Sequence, residues 1–355
     1  MAMETEESAS IDAAKADAVL ATMRAAGDAD DSSRITYLEQ LEGGWSRHSY
    51  AARVTHPDRA TAANETGEEA YIVRVRPQGS LLDTDLGEEF RVFELLVPEP
   101  LPTPAPRGFE PSEETPFTGP FFVMDRLSGH AVNVWRRRDR VELEQDWAGA
   151  RGIANDLAAH LAGIHAIGGE RAATAATPRT FQRTIDRWEG VYQQMRLVRD
   201  PVVEEAYAWL REREPDPVAP CLVHGDYRIG NCLIDGGRIS GILDWELCSV
   251  GDPRFDLGYM ALEYHAGKFT TPGSRLLNSS AERDWFHTRY SELSGRPTDP
   301  EVVRTFTALG ALMLFAIMTT GINVYASGAT TDIRMAWGRF VLPGLRQDLA
   351  ALMGW

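Results

Sequence analysis

The stretch from Leu222 to Leu257, LVHGDYRIGNCLIDGGRISGILDWELCSVGDPRFDL, decides how this chain is read. It sets a His-Gly-Asp ending at Asp226, then Asn231, then a Leu-Asp-Trp-Glu that carries Asp244. A phosphoryl group in transfer spreads negative charge over its oxygens, so a protein must place a nucleophile on one side and metal ions on the other. Carboxylates and amides serve both ends: Asp226 to orient a substrate hydroxyl, and Asn231 with Asp244 to hold Mg2+ on a nucleotide triphosphate. Cys232 to Asp235 and Ile239 to Leu243 are two short apolar runs joined across Gly236-Gly237, which predicts a hairpin that returns the chain and delivers Asp244 to the cleft.

The interval from Asp226 to Asn231 is the D-x-x-x-x-N of the protein-kinase catalytic loop, and Asp244-Trp245-Glu246 stands where kinases carry Asp-Phe-Gly. His224-Gly225-Asp226-Tyr227-Arg228-Ile229-Gly230-Asn231, Ile242 to Glu246, Gly251-Asp252-Pro253 and Asp256-Leu257 together resemble the aminoglycoside phosphotransferase (APH) family. The branch most similar includes the kinase-like domain of some acyl-CoA dehydrogenases and bacterial 4-hydroxyacyl-CoA kinases. The resemblance runs from near Ile35 onward and implies an α+β, bilobal, protein-kinase-like fold. In that fold a small mixed N-lobe with an antiparallel sheet precedes a larger, mainly helical C-lobe, and ATP and Mg2+ are the implied cofactors. The boundaries expected are 1–33 for an N-terminal helical extension, 34–126 for an N-lobe nucleotide clamp and 127–355 for the C-lobe with its catalytic and metal-binding loops.

Length and composition agree with that class. At 355 residues the chain can build two cores, and 43% hydrophobic with 25% charged residues is the balance of a soluble globular enzyme. A net charge of -16 argues against nucleic acid as a partner, because phosphate backbones are held by surplus Lys and Arg. The acidic start (Glu4, Glu6, Glu7, Asp12) has no apolar run behind a basic segment, so a cytoplasmic location and no membrane partner are expected. The greasy stretch Ala308 to Met318 is too short to span a bilayer and reads as a buried helix. Cys221, Cys232 and Cys248 are read as reduced thiols in apolar packing.

In the small lobe, Glu42-Gly43-Gly44-Trp45-Ser46-Arg47-His48-Ser49 lies between two predicted strands and offers backbone N–H groups of Gly43, Gly44 and Ser46 to phosphates. Tyr71 to Arg76 reads as a strand with Arg74 and Arg76 on one face. Where kinases use a strand lysine, Arg74 is the candidate phosphate contact, with Arg76 its rival. Glu89 lies in the apolar stripe of a helix over Asp85 to Leu96 and is the candidate partner of that cation, Glu88 being the rival in helix phase. Met124-Asp125-Arg126 resembles the hinge that hydrogen-bonds adenine, so Met124 and Arg126 are assigned to the nucleotide. His224 is expected to hold the catalytic loop, Asp252 to order the following loop, and Asp256 to cap a helix beginning near Leu257.

These readings point to an ATP-dependent phosphotransferase with a small-molecule hydroxyl as acceptor. Trp188, Tyr192, Tyr259, Met260, Tyr264 and Trp337 each read singly as core packing, but as a set they suggest an apolar or acyl-type acceptor such as a hydroxyacyl-CoA, and the chain end, with Asp348 as its one carboxylate side chain, offers little to a polycation. An aminoglycoside or other antibiotic kinase is the alternative within the class. A nucleotide-binding pseudokinase or scaffold, raised by the missing lysine, is the alternative outside it.

Overall fold

In the computed structural model the described residues are 11–41, 46–78, 80, 82–267 and 276–355. They fall into two compact units, Met1–Ser80 with Pro104–Arg126, and Leu81–Thr103 with Leu127–Trp355.

The first unit is an antiparallel sheet of five strands: β1 (Arg34–Gln40), β2 (His48–Thr55), β3 (Glu68–Val75), β4 (Pro106–Glu110) and β5 (Phe121–Asp125), in the order β1-β2-β3-β5-β4. The period of two in β3 sends Tyr71, Val73 and Val75 inward. Helix α1 (Ala13–Ala25), capped by Asp12, lays Val19, Leu20 and Met23 on that core beside Val54, Phe117 and Phe121. Arg107 grips Asp125 at the end of β5 through two hydrogen bonds of 2.7 and 2.8 Å.

The second unit is helical around short β-strand pairs. Its elements are α2 (Leu86–Leu96), β6 (His130–Ala131), α3 (Arg137–Ala148), α4 (Gly152–His165), the single turn α5 (Gly169–Ala172), α6 (Phe181–Met195), α7 (Pro201–Arg211), β7 (Cys221–Val223), β8 (Cys232–Asp235), β9 (Arg238–Ile242), β10 (Ser249–Gly251), α8 (Arg254–Met260), α9 (Arg283–Ser294), α10 (Pro300–Ala326) and α11 (Gly338–Met353). The fold class is thus α+β, one unit an antiparallel sheet and the other mainly helical.

Helix α10 is longer than its apolar stretch suggests. Asp299 caps it, Pro300 opens it, and it runs 27 residues, long and apolar enough by composition to cross a membrane. It is instead the core helix of its unit, apolar all round and 83% buried over its most apolar window. Gly258 lets α8 come against it, since a Cβ there would sit 2.4 Å from the Phe306 carbonyl carbon. Trp188 and Tyr192 are core packing, buried here at 3% and 1% exposure, because α6 turns its apolar stripe onto α10.

Candidate active site

The predicted hairpin is present. Strands β8 and β9 pair antiparallel, with Cys232 opposite Ile242 and Gly236-Gly237, both at positive φ, making the turn. That register places Asn231 just before one strand and Asp244 just after the other, and the Leu243 N–H donates to the Asn231 carbonyl at 2.9 Å. The two candidate metal ligands therefore flank one hairpin mouth. Asp244 adopts φ +70, a left-handed conformation that Asp tolerates better than most residues and that concentrates at functional sites.

Asp226 sits on the loop after β7, 9% exposed. Its Oδ2 accepts from Asn231 Nδ2 at 2.7 Å, its Oδ1 from Arg228 Nε at 2.9 Å, and its backbone carbonyl from Asn231 Nδ2 at 2.8 Å. With the amide's donor end turned to Asp226, the carbonyl end, Oδ1, is the end that suits a cation. Burial opposes the Arg228 charge, but the Asp226 carboxylate, together with Tyr259 and Asp244, outweighs it and holds the guanidinium above its ordinary range.

The loop itself is pinned from below. Asp256, fully buried, accepts the N–H groups of His224 and Gly225 at 2.8 Å each and contacts His165 Nε2 at 3.1 Å. His165 in turn meets the Tyr290 hydroxyl at 2.7 Å. Gly225 is required where it stands: its φ is +86, and a Cβ would lie 2.2 Å from the Leu247 carbonyl oxygen. His224 holds the loop as expected, its Nε2 at 3.1 Å from the Leu243 carbonyl and its Nδ1 accepting the Asp226 N–H at 3.3 Å, with its ring against Trp245 at 4.4 Å. Since a carbonyl only accepts and an amide N–H only donates, the ring is the neutral Nε2–H tautomer. The Tyr227 hydroxyl, donating to the Leu157 carbonyl at 2.7 Å, ties the loop to α4.

One assignment needs correcting. Asp256 does not cap α8; it lies in its first turn and serves as the double acceptor under the loop that carries Asp226. At the chain end, Asp348 lines a cavity of about 230 Å³ with Glu263, Tyr264 and Gln347. Arg228 and Tyr259 were missed as neighbours of Asp226; the position of Arg228 two residues after the aspartate, in the same loop, was the available signal. Asp252 orders its loop as expected, accepting the Arg254 N–H at 2.9 Å.

The nucleotide candidates divide between the units. Arg74 is on β3, opposite Ser49 and Phe122, while Arg76 lies past the strand and pairs with Glu113. Glu89 is the buried glutamate of α2, at 1% exposure, whereas Glu88 accepts the Thr177 N–H. Met124 is buried on β5, and the Arg126 N–H donates to the Ala70 carbonyl at 3.0 Å. The carbonyl of Ser46 accepts from the Ser80 hydroxyl at 2.7 Å; Gly43 and Gly44 lie outside the described residues. Cys221, Cys232 and Cys248 are free and buried.

This arrangement, a carboxylate hydrogen-bonded to an amide beside a second carboxylate, suits in-line phosphoryl transfer. Residues 38–295 match the Phosphotransferase enzyme family (APH). The chain is 28% identical over 246 residues to rat Acyl-CoA dehydrogenase family member 11, covering 66% of this chain and 31% of that protein, so it spans about a third of the relative's length. Among solved structures it is similar to a Ralstonia eutropha protein assigned to the aminoglycoside phosphotransferases, with a TM-score of 0.68 and 18% identity over 90% of this chain and 92% of that one. It is also similar to aminoglycoside phosphotransferase APH(4)-Ia in its ternary complex with AMP-PNP and hygromycin B, with a TM-score of 0.56 and 18% identity over 90% and 94% of the two chains.

Proposed function

This chain belongs to the Phosphotransferase enzyme family, and from that premise we propose that Asp226 is its catalytic base and Asn231 and Asp244 its metal ligands. As a member it is an ATP-dependent enzyme that phosphorylates a hydroxyl of a small molecule. The observation that carries the residue assignment is the hairpin mouth, where Asn231 and Asp244 flank paired strands while Asn231 also binds Asp226. Asp226 orients the acceptor hydroxyl and takes its proton as the oxygen attacks. Asn231 through Oδ1 and Asp244 through its carboxylate would hold Mg2+, which supplies charge neutralisation on the phosphates when bound with nucleotide. In the same reading Arg74 and Ser46 serve the nucleotide phosphates, Glu89 is the buried carboxylate of α2 assigned to the nucleotide site, and Met124 and Arg126 serve as the hinge.

The acceptor in this reading is a hydroxyl on a largely apolar or acyl-type molecule such as a hydroxyacyl-CoA, and the site of action is cytoplasmic. The likeness to Acyl-CoA dehydrogenase family member 11 supports the acyl class. A second reading, an antibiotic kinase for a cationic acceptor, is favoured by the cavity whose walls carry Glu263 and Asp348. The test is ADP release with Mg-ATP against hydroxyacyl thioesters, hydrophobic alcohols and aminoglycosides, with Asp226→Asn as control. That variant should keep the fold and nucleotide binding while turnover drops by about 10² to 10⁴. Near wild-type turnover would remove Asp226 from its role, turnover of aminoglycosides alone would favour the second reading, and no ADP from any acceptor would favour a pseudokinase.

A further inference from the structure

Aromatic rings form a continuous series from the catalytic carboxylate to the surface. Tyr259, 3% exposed, lies against Asp226; burial and then the Asp226 charge push its phenol well up. From Tyr259 the ring centroids run 4.7 Å to His265, then 5.6 Å to Tyr264, 5.1 Å on to Trp135, 6.2 Å to Trp337 and 5.6 Å to Phe340. These six residues come from α8, the turn Glu263–Ala266, the segment after β6, the turn Ile333–Trp337 and α11, so distant parts of the sequence converge on one line.

The inner end is ordinary core and the outer end is not. Trp337 is 40% exposed and Phe340 72%, and Ile333 on the same turn is 67% exposed. A single exposed apolar side chain needs no explanation, but three within eight residues, continuing the ring series that begins at Tyr259, make a contiguous apolar patch of the kind that marks binding surfaces. Aromatic walls of this kind accept a carbon chain without demanding charge from it.

We propose that Tyr264, Trp135, Trp337 and Phe340 are the acceptor track of the enzyme, holding an alkyl or acyl chain along the rings while its hydroxyl meets Asp226. The assignment rests on the acyl-type reading above and makes Trp337 and Phe340 its specificity-determining residues. Full burial of a methylene is worth about a fourfold gain in affinity, so a chain lying on the track gains steeply with length until it passes Phe340.

The test is kcat/KM for a homologous series of hydroxyacyl thioesters, from butanoyl to decanoyl, in the wild type, Trp337→Ala, Trp337→Phe and Phe340→Ala. The wild type should gain up to about fourfold per methylene. Both alanine variants should flatten that slope and Trp337→Phe should restore most of it, with KM for ATP unmoved. Alongside, calorimetry measures binding of a decanoyl thioester that lacks the hydroxyl. Tighter binding to wild type than to Trp337→Ala supports the track even if no thioester is turned over, a result that would sink only the acyl-substrate reading. Equal slopes and equal binding in wild type and alanine variants overturn the track. So does a change of oligomeric state in the alanine variants with the slope intact, since the patch would then join copies of the chain.

Discussion

Asp256 and Gly225 are joined by a 2.8 Å hydrogen bond from the glycine N–H to a carboxylate that is fully buried, and the other oxygen of that carboxylate takes the neighbouring His224 N–H. The loop that carries Asp226 thus hangs from a helix formed thirty residues later, and its shape is set by one anion. Charge-assisted hydrogen bonds are worth roughly twice neutral ones, and a buried carboxylate with two N–H donors and a histidine is the full form of that arrangement. Asp256→Asn must turn an amide NH2 toward one of those donors. We expect a loss of about 1.5 to 3 kcal/mol in stability together with a fall in kcat that exceeds any change in KM for ATP. Urea denaturation and steady-state kinetics on the same preparation check it, and a variant with wild-type stability would contradict the double-acceptor role.

Asp244 allows charge and backbone to be separated. At φ +70, Asn is nearly as tolerant as Asp, whereas Ala meets the left-handed penalty of about 1 to 2 kcal/mol. Both Asp244→Asn and Asp244→Ala should lose Mg2+-dependent nucleotide binding, but only the alanine variant should also melt earlier. If the asparagine variant binds Mg-ATP like the wild type by calorimetry, the metal assignment is wrong.

How far the sequence carries the fold depends on whether a feature is local. The β8–β9 hairpin was readable because Gly236-Gly237 punctuates two apolar runs, and its register then places Asn231 and Asp244 without further information. Glu89 was preferred over Glu88 from the apolar stripe Val92, Phe93 and Leu96, with the helix phase uncertain by a residue, and it is Glu89 that turns inward. Asp256 was misread because a first-turn aspartate looks like a cap, while its partners His224, Gly225 and His165 are assembled only by tertiary packing. Composition alone could not say whether the rings of Trp188 and Tyr192 face a cleft or α10, and tertiary packing turns both onto α10. The length of α10 was the opposite case, since Asp299-Pro300 is a local start signal that the apolar stretch 308–318 hid.

His287, on α9, gives an acid-side prediction. Burial, aided by the nearby Arg283 charge, pushes its imidazole down from the usual 6.5 to about 4. A native value below the unfolded one means that the unfolded chain takes up the proton first, so this group costs stability as pH falls from about 6.5 toward 4 and costs nothing above that window. His287→Gln should therefore flatten the decline of Tm between those pH values relative to the wild type. Parallel declines in both proteins would show that His287 does not drive it.

Arg228 is the last and most informative test of the site. Its Nε donates to Asp226 Oδ1 at 2.9 Å, and its Nη1 lies where a Cβ on Gly230 would be, 2.2 Å away. The guanidinium therefore fixes the Asp226 carboxylate on the side opposite Asn231, with a glycine two residues on leaving room for it. Arg228→Ala should lower kcat by roughly 10- to 100-fold, the scale seen when groups that orient reactive ligands are removed, with little effect on KM for ATP. Arg228→Lys should recover only part of it, because a point charge does not reproduce the planar fork. Gly230→Ala should fall in the same direction by displacing the guanidinium rather than deleting it. Combining Gly230→Ala with Arg228→Ala should then add little to Arg228→Ala alone, since both act on one contact. Full additivity in that double-mutant cycle would mean the two residues act separately, and the orienting role of Arg228 would fall.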